Sequence, residues 1–282
     1  MTDKPATPGK TAFANWRDYI IYIGFVAIFL IFAVTLGDRG FLDPNNLLNI
    51  IRQTAIIAVV SVTMTFVLST GEIDLSVGAV AGLASVVTAM AIDQFGIAGG
   101  ILCGLGTGVL VGAVNGWLTT AVGIPSFLTT LAMMGIARGA AMWVSGTAAI
   151  PILSKTYTGI FGAGNLGPVP SLLIWVLVIG IAGHIVLRRT TFGRQVLATG
   201  GNETAARYSG VNTASIKFRV LMLSSIAAAL AGMLYAGRLH SGRFQFGEGD
   251  ELSIIAAAVL GGTSLFGGAG TVIGSIMGAL MI

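Results

Sequence analysis

The chain has 282 residues, of which 55% are apolar and only 9% charged, with 41 glycines and a net charge of +4. Soluble domains carry about a quarter charged residues, so a water-soluble fold is excluded and the length is better counted in membrane spans of about 20 residues. The basic residues are scattered between apolar stretches, which speaks against a nucleic-acid surface, and the single cysteine, Cys103, excludes an intramolecular disulfide or a cysteine-rich metal site.

A polar tail, residues 1–17 with Lys4, Lys10 and Arg17, precedes an apolar run from Tyr19 to Leu36. That run ends at Gly37, Asp38 and Arg39 with no small-residue cleavage site, so it reads as a retained first span. Between Phe41 and Gln53, Asp43 and Pro44 signal a helix start, and Asn45, Asn46, Asn49 and Arg52 share the stretch with Leu47, Leu48, Ile50 and Ile51. This pattern predicts a short interfacial helix leading into the second span. Further apolar stretches cover 54–69, 77–92, 96–119, 127–145, 171–187, 220–237, 252–266 and 271–282.

Only helices or closed barrels satisfy the backbone in hydrocarbon, and no period-two alternation of polar residues is present. The expectation is therefore an all-α, polytopic transmembrane helix bundle of about nine to ten spans. It forms one transmembrane domain over residues 1–282. The last stretch is too short, at 1.5 Å per residue, to cross a hydrocarbon core about 30 Å thick, so a partial final helix or an incomplete C-terminus is expected.

Charge sets the orientation. Six basic residues (Arg188, Arg189, Arg194, Arg207, Lys217 and Arg219) face one acid, Glu203, in the loop 188–219, which places that loop and the N-terminal tail in the cytoplasm. Six predicted spans separate them, an even number as a common compartment requires. The loops around Asp93, over 145–170 and over 238–251 then lie outside, and those around Leu75 and Gly123 inside.

Gly100, Gly104, Gly108 and Gly112 form a ridge at four-residue spacing with Gly96 and Gly116, and Gly270, Gly274 and Gly278 repeat it. Such a ridge lets another backbone approach closely and suits helix packing or sliding. Arg138 lies about a dozen residues into its span and needs a partner, for which Glu72 and Asp74 are the candidates by depth. It serves either a structural ion pair or the translocation path. Asn115, Thr129 and Thr130 are further candidates for that path.

The run from Gly71 to Ser76 interrupts two apolar stretches with two carboxylates, a break tolerated only where protein or water surrounds it. A related run, Gly247 to Ser253, opens a later stretch, and the predicted topology puts the two on opposite sides, as an inverted repeat would.

Three segments together carry a family resemblance: GEIDLSVGAVAGL (71–83), GIPSFLTTLAMMGIARG (123–139), and GGNETAARYSGVN (200–212) with ELSIIAAAVLGGTSLFGGAGTVIG (251–274). In content and order the chain resembles the permease subunits of bacterial ATP-binding-cassette importers for ribose, xylose, galactose and related monosaccharides. The resemblance implies a multi-pass protein of the bacterial inner membrane, working with a cytoplasmic ATP-binding subunit, a periplasmic sugar-binding protein and a second permease copy or paralogue. ATP is then bound by the partner: Gly9, Lys10 and Thr11 mimic the end of a P-loop, but Lys4 stands at its first glycine. No catalytic residue, resident cofactor or metal is expected.

Asn202 suits an N-cap, Glu203 the positive end of a helix dipole and Gly210 a stop, which predicts a two-turn helix over 203–209. The resemblance makes this the coupling helix that docks on the ATPase, with Gly201, Asn202, Glu203, Arg207, Tyr208 and Gly210 as its coupling residues. The alternative reading is an ion-coupled secondary transporter, in which Glu72, Asp74 and Arg138 would carry the coupling.

Overall fold

A computed structural model describes residues 11–282, with side chains from Tyr22 onward. Most of the predicted tail, including Lys4 and the Gly9–Lys10 pair, lies outside the described residues. Among those described, the long helices are α1 (Thr11–Leu36), α2 (Pro44–Ser69), α3 (Val77–Trp117), α4 (Ser126–Ser145), then after the four-residue α5 (Lys155–Thr158), α6 (Ser171–Arg189). The short α7 (Thr191–Gly201) and α8 (Glu203–Tyr208) lead into α9 (Thr213–Arg238), and α10 (Asp250–Leu260) and α11 (Val272–Met281) close the chain. Four two-residue strands, β1 (Ile150–Pro151), β2 (Asn165–Leu166), β3 (Val169–Pro170) and β4 (Ser241–Gly242), pair as β1–β4 and β2–β3.

Among the described residues, six helices are long and apolar enough to cross a membrane, with the element 77–122 counted once, so the expected nine to ten spans are not confirmed. Two features bear on the number. α10 covers 11 residues, about half of a crossing, and α11 covers the 10 residues from Val272 to Met281. They are separated by the glycine-rich turn 261–270 and pack on each other and on α2. The predicted spans 77–92 and 96–119 are both helical and form the two arms of α3, which folds back on itself. Straight, 41 residues would extend about 60 Å, yet Asn115 Nδ2 near one end donates to Ser76 Oγ at the other, 3.1 Å away.

The reversal is at Gly96, whose φ of 72° and ψ of −175° are open only to glycine. No heavy atom lies within 4 Å of a Cβ built there, so the glycine is required by its backbone angles and not by space.

The predicted interfacial helix is also corrected. Asp43 accepts from Asn45 N at 2.7 Å, Pro44 opens the first turn, and α2 runs unbroken from there to Ser69. Its asparagines occupy the end that projects beyond the apolar stretch.

The glycine ridge on the second arm of α3 packs against α9, the most buried of the six long helices. A methyl at Gly108 would lie 2.6 Å from Ser225 O, at Gly112 2.7 Å from Met222 Cα, and at Gly116 2.6 Å from the Phe218 ring. Gly100 instead faces the first arm of the same hairpin at Ile92, and Gly104 meets both Thr88 of that arm and Met233 of α9. With no hydrophobic force between helices in lipid, this close backbone approach supplies the dispersion contacts that hold the hairpin to α9.

After α9 the chain does not leave the bundle. Residues 241–249 return alongside the first arm of α3, where Gly82 faces the carbonyls of Phe244 and Phe246, and Gly78 faces Gly247 and Glu251. The two acidic runs, 71–76 and 247–253, therefore approach each other inside the protein and do not lie at opposite faces as predicted.

Connections gather at two ends. One holds the loop 146–170 and the turn after α9, joined by the β1–β4 pair and by Ile152 N donating to His240 O. There Arg238 donates to Arg52 O, Arg52 to Asn165 Oδ1, and Tyr157, Phe161 and Trp175 stack in series. The other end holds the break at 71–76, the α3–α4 turn, α7, α8 and the turn between α10 and α11.

Candidate functional site

That second end is organised around α8. Asn202 Oδ1 accepts from Ala205 N at 2.9 Å and caps the helix. At the other terminus Gly210, with φ of 84°, donates to Arg207 O while Val211 donates to Ala206 O, closing a Schellman motif. Six residues between two such caps form a rigid knob. Tyr208 projects from it 92% exposed, a large aromatic that the described residues leave uncovered. Gly201 ends α7 just before the cap and is likewise exposed.

Glu203 in the first turn is the electrostatic centre. Arg207 Nη2 donates to its Oε1 at 2.6 Å, Thr213 Oγ1 donates to the same oxygen at 3.1 Å, and Lys217 Nζ reaches Oε2 at 2.9 Å. The hydrogen bond from Lys217 and the two cations hold the Glu203 carboxyl below the usual carboxylate range. Lys217 is shared: its Nζ also lies 2.7 Å from Oε1 of Glu72, and both side chains of that pair are largely buried.

Glu72 thus belongs with the loop 188–219 and not with Arg138. The partner of Arg138 is Glu248, at 2.7 Å, which corrects the expected pairing with Glu72 or Asp74. The reason is geometric. Ser126 and Thr130 in the first turns of α4 sit beside the break, and Arg138 lies eight residues, about 12 Å, farther along the helix. There it meets the returning segment 241–249. This ion pair is partly exposed on the flank of the bundle, with Glu248 59% accessible.

The remaining predicted polar residues are brought together but enclosed. Leu75 N donates to Thr130 Oγ1 at 3.1 Å and Ile73 N to Ser126 Oγ at 3.1 Å, so α4 side chains satisfy the extended backbone of the break. Asp74 Oδ1 accepts from both N and Oγ of Ser76, and Ser76 Oγ accepts from Asn115. Asp74, Asn115 and Thr130 are fully buried and Thr129 nearly so. In this conformation Asp74, Asn115 and Thr130 hold the break in place, and Thr129 is enclosed within the bundle. Asp74 Oδ2, Asn115 Oδ1 and Thr129 Oγ1 have no hydrogen-bond partner among the described residues.

Lys217, Ser126, Ser76 and Glu248 were not singled out from sequence. Lys217 had one signal, a lone lysine opening an apolar span fourteen residues after the single acid of its loop. Ser126 and Ser76 had none, because each acts on a segment distant in the chain.

Comparison with known proteins adds an independent line. A family model described as the permease component of the branched-chain amino acid transport system matches residues 46–282. The chain is 38% identical to the ribose import permease protein of Bacillus subtilis (strain 168), over 92% of this chain and 81% of that one. It is 36% identical to an L-arabinose ABC transporter permease protein of Azospirillum brasilense, covering 99% and 83% of the two chains. It is 32% identical to the xylose transport system permease protein of Escherichia coli (strain K12), covering 95% and 84%. No solved structure matches the chain.

Proposed function

The chain belongs to the family of transport-system permease components that includes the ribose, arabinose and xylose permeases, and on that premise we propose that it carries a monosaccharide or related polyol across the bacterial inner membrane by ATP-driven alternating access. The observation that carries the mechanism is α8. It is a doubly capped helix, exposed along its outer side and tipped by Tyr208, tied through Glu203 and Lys217 to the break at 71–76. Such a knob fits a groove on a cytoplasmic ATP-binding subunit, which supplies the hydrolysis.

In this reading Gly201, Asn202 and Gly210 set the shape of the coupling helix, and Glu203, Arg207 and Tyr208 form its contact with the ATPase. The end bearing α8 is cytoplasmic, as the excess of Arg and Lys over 188–219 favours, and the N-terminal tail lies on the same side. The opposite end, with the loop 146–170, receives sugar from a periplasmic binding protein. A second permease copy or a paralogue completes the path, and the exposed Arg138–Glu248 pair is the polar feature best placed to border it. A neutral sugar delivered by a binding protein needs no dense polar site, in keeping with the burial of Asp74, Asn115, Thr129 and Thr130.

The alternative of ion coupling is disfavoured by the family. It also loses its proposed triad, because Arg138 is far from Glu72 and Asp74. Reconstitution tests the reading. Proteoliposomes holding the permease, its ATP-binding subunit and the binding protein should accumulate labelled sugar only when ATP is supplied to the ATPase side. Replacing Glu203 and Arg207 together should spare membrane insertion and abolish that uptake. Gradient-driven transport by the permease alone, with no ATPase subunit, would overturn the proposal.

A further inference from the structure

The coupling helix and the extended break meet on one ammonium. Lys217, one turn into α9, places its ammonium 2.9 Å from Glu203 on α8 and 2.7 Å from Glu72 at the head of the extended break. The two carboxylates come from segments 131 residues apart, and Lys217 is the cation that touches both.

The break is held just as firmly from its far side. Its amides at Ile73 and Leu75 donate to Ser126 and Thr130 of α4, and Ser76 is fixed by Asn115 of α3. An extended segment whose hydrogen bonds go to side chains of two helices moves with those helices, because leaving them would strand half-buried amides.

A second connection between the loop and this region is steric. Gly200 at the end of α7 lies against the carbonyl of Ser69, the last residue of α2, and Gly268 N donates to that same carbonyl at 3.0 Å. Packing of this kind transmits a push but opens freely under a pull. An ammonium between two carboxylates resists both, and most strongly where the pair is sheltered from water, as Lys217 and Glu72 are.

We propose that Lys217 is a positioning residue for energy coupling: by holding Glu203 and Glu72 on one ammonium, it makes the 72–76 segment and α4 follow α8 in both directions of its stroke. This rests on the ATP-driven reading above. A salt bridge that merely fastened a loop would affect stability or assembly. A link in the transmission sets how many ATP molecules are spent for each sugar delivered.

The test is that ratio, measured in proteoliposomes containing the complete importer. Lys217→Met and Glu72→Gln should each raise ATP hydrolysed per sugar roughly tenfold. Lys217→Arg, which keeps a cation able to reach both carboxylates, should restore the ratio to near the wild-type value. Glu72→Gln leaves the Glu203–Lys217 contact intact, so it decides the matter if Lys217→Met fails to assemble. A ratio within about twofold of wild type in Glu72→Gln overturns the proposal even where total uptake falls. Absence of ATP-driven uptake by the wild-type importer overturns the functional reading and this inference together.

Discussion

Gly108→Ala puts a methyl group where α3 and α9 touch. It would lie 2.6 Å from the Ser225 carbonyl oxygen, 2.8 Å from Ala229 Cβ and 2.9 Å from Ile226 Cα. Two of those atoms are backbone, so no rotamer change relieves the overlap and the helices must part. Opening a packed contact by about 0.5–1 Å forfeits a quarter to a half of its dispersion energy. Overpacking costs about 1–3 kcal/mol, and two close contacts with backbone put this one at about 2–3 kcal/mol; the better helix propensity of alanine returns about 1 kcal/mol, leaving a net loss of about 1–2 kcal/mol.

Gly106 is the internal control, with no heavy atom within 4 Å of an added Cβ. Gly106→Ala should be neutral or stabilising by up to about 1 kcal/mol. At about 2–4 °C per kcal/mol, thermal unfolding in mild detergent should show Gly108→Ala lower in Tm by about 2–8 °C and Gly106→Ala unchanged or higher. Equal shifts in the two variants would refute the assignment of α9 as the partner of the ridge.

Gly96→Ala should cost about 1–3 kcal/mol through backbone strain alone, read as a lowered Tm, since nothing crowds the position. A double-mutant cycle on Arg138→Ala and Glu248→Ala should give a coupling energy of about 0.5–3 kcal/mol, whereas Arg138→Ala and Glu72→Ala should add within about 0.5 kcal/mol. For Glu203, whose carboxyl is held below its ordinary value of 4.5, the stabilisation is present above that pH and is lost as pH falls through the lowered native value. The Tm difference between wild type and Glu203→Gln should therefore be constant from pH 7 to about 5 and shrink on further acidification; a difference that grows in acid contradicts the sign.

Much of the fold was legible because hydrophobic length in a membrane is a strong constraint. The starts and stops of α4 and α6 lie close to the predicted stretches, and α8 was readable down to its caps because capping is a local matter of Asn202 and Gly210. What failed was non-local. Apolar composition cannot tell a half-crossing from a full one, so the stretch 252–266 reads as a span although α10 stops at Leu260 and glycines from 261 to 270 carry a turn. The return of 241–249 along α3 has no periodic signal; its trace is the small residues Gly78 and Gly82 on the facing helix. The pairing of Arg138 was misjudged because the predicted topology put Glu248 in an outside loop, whereas the return of 241–249 along α3 carries it to Arg138. Lys217 was overlooked for the same reason, as its two carboxylates converge only in three dimensions.

The account depends above all on α8 facing the compartment that holds ATP. In a Cys103→Ser background, a cysteine at the exposed Thr204 of α8 and another at the exposed Thr156 of α5, at the opposite end, can be probed with a membrane-impermeant maleimide in intact cells. Thr156→Cys should label at once and Thr204→Cys only after the membrane is permeabilised. The reverse pattern, with Thr204→Cys reacting from outside, would contradict the orientation and with it the docking of an ATPase on α8.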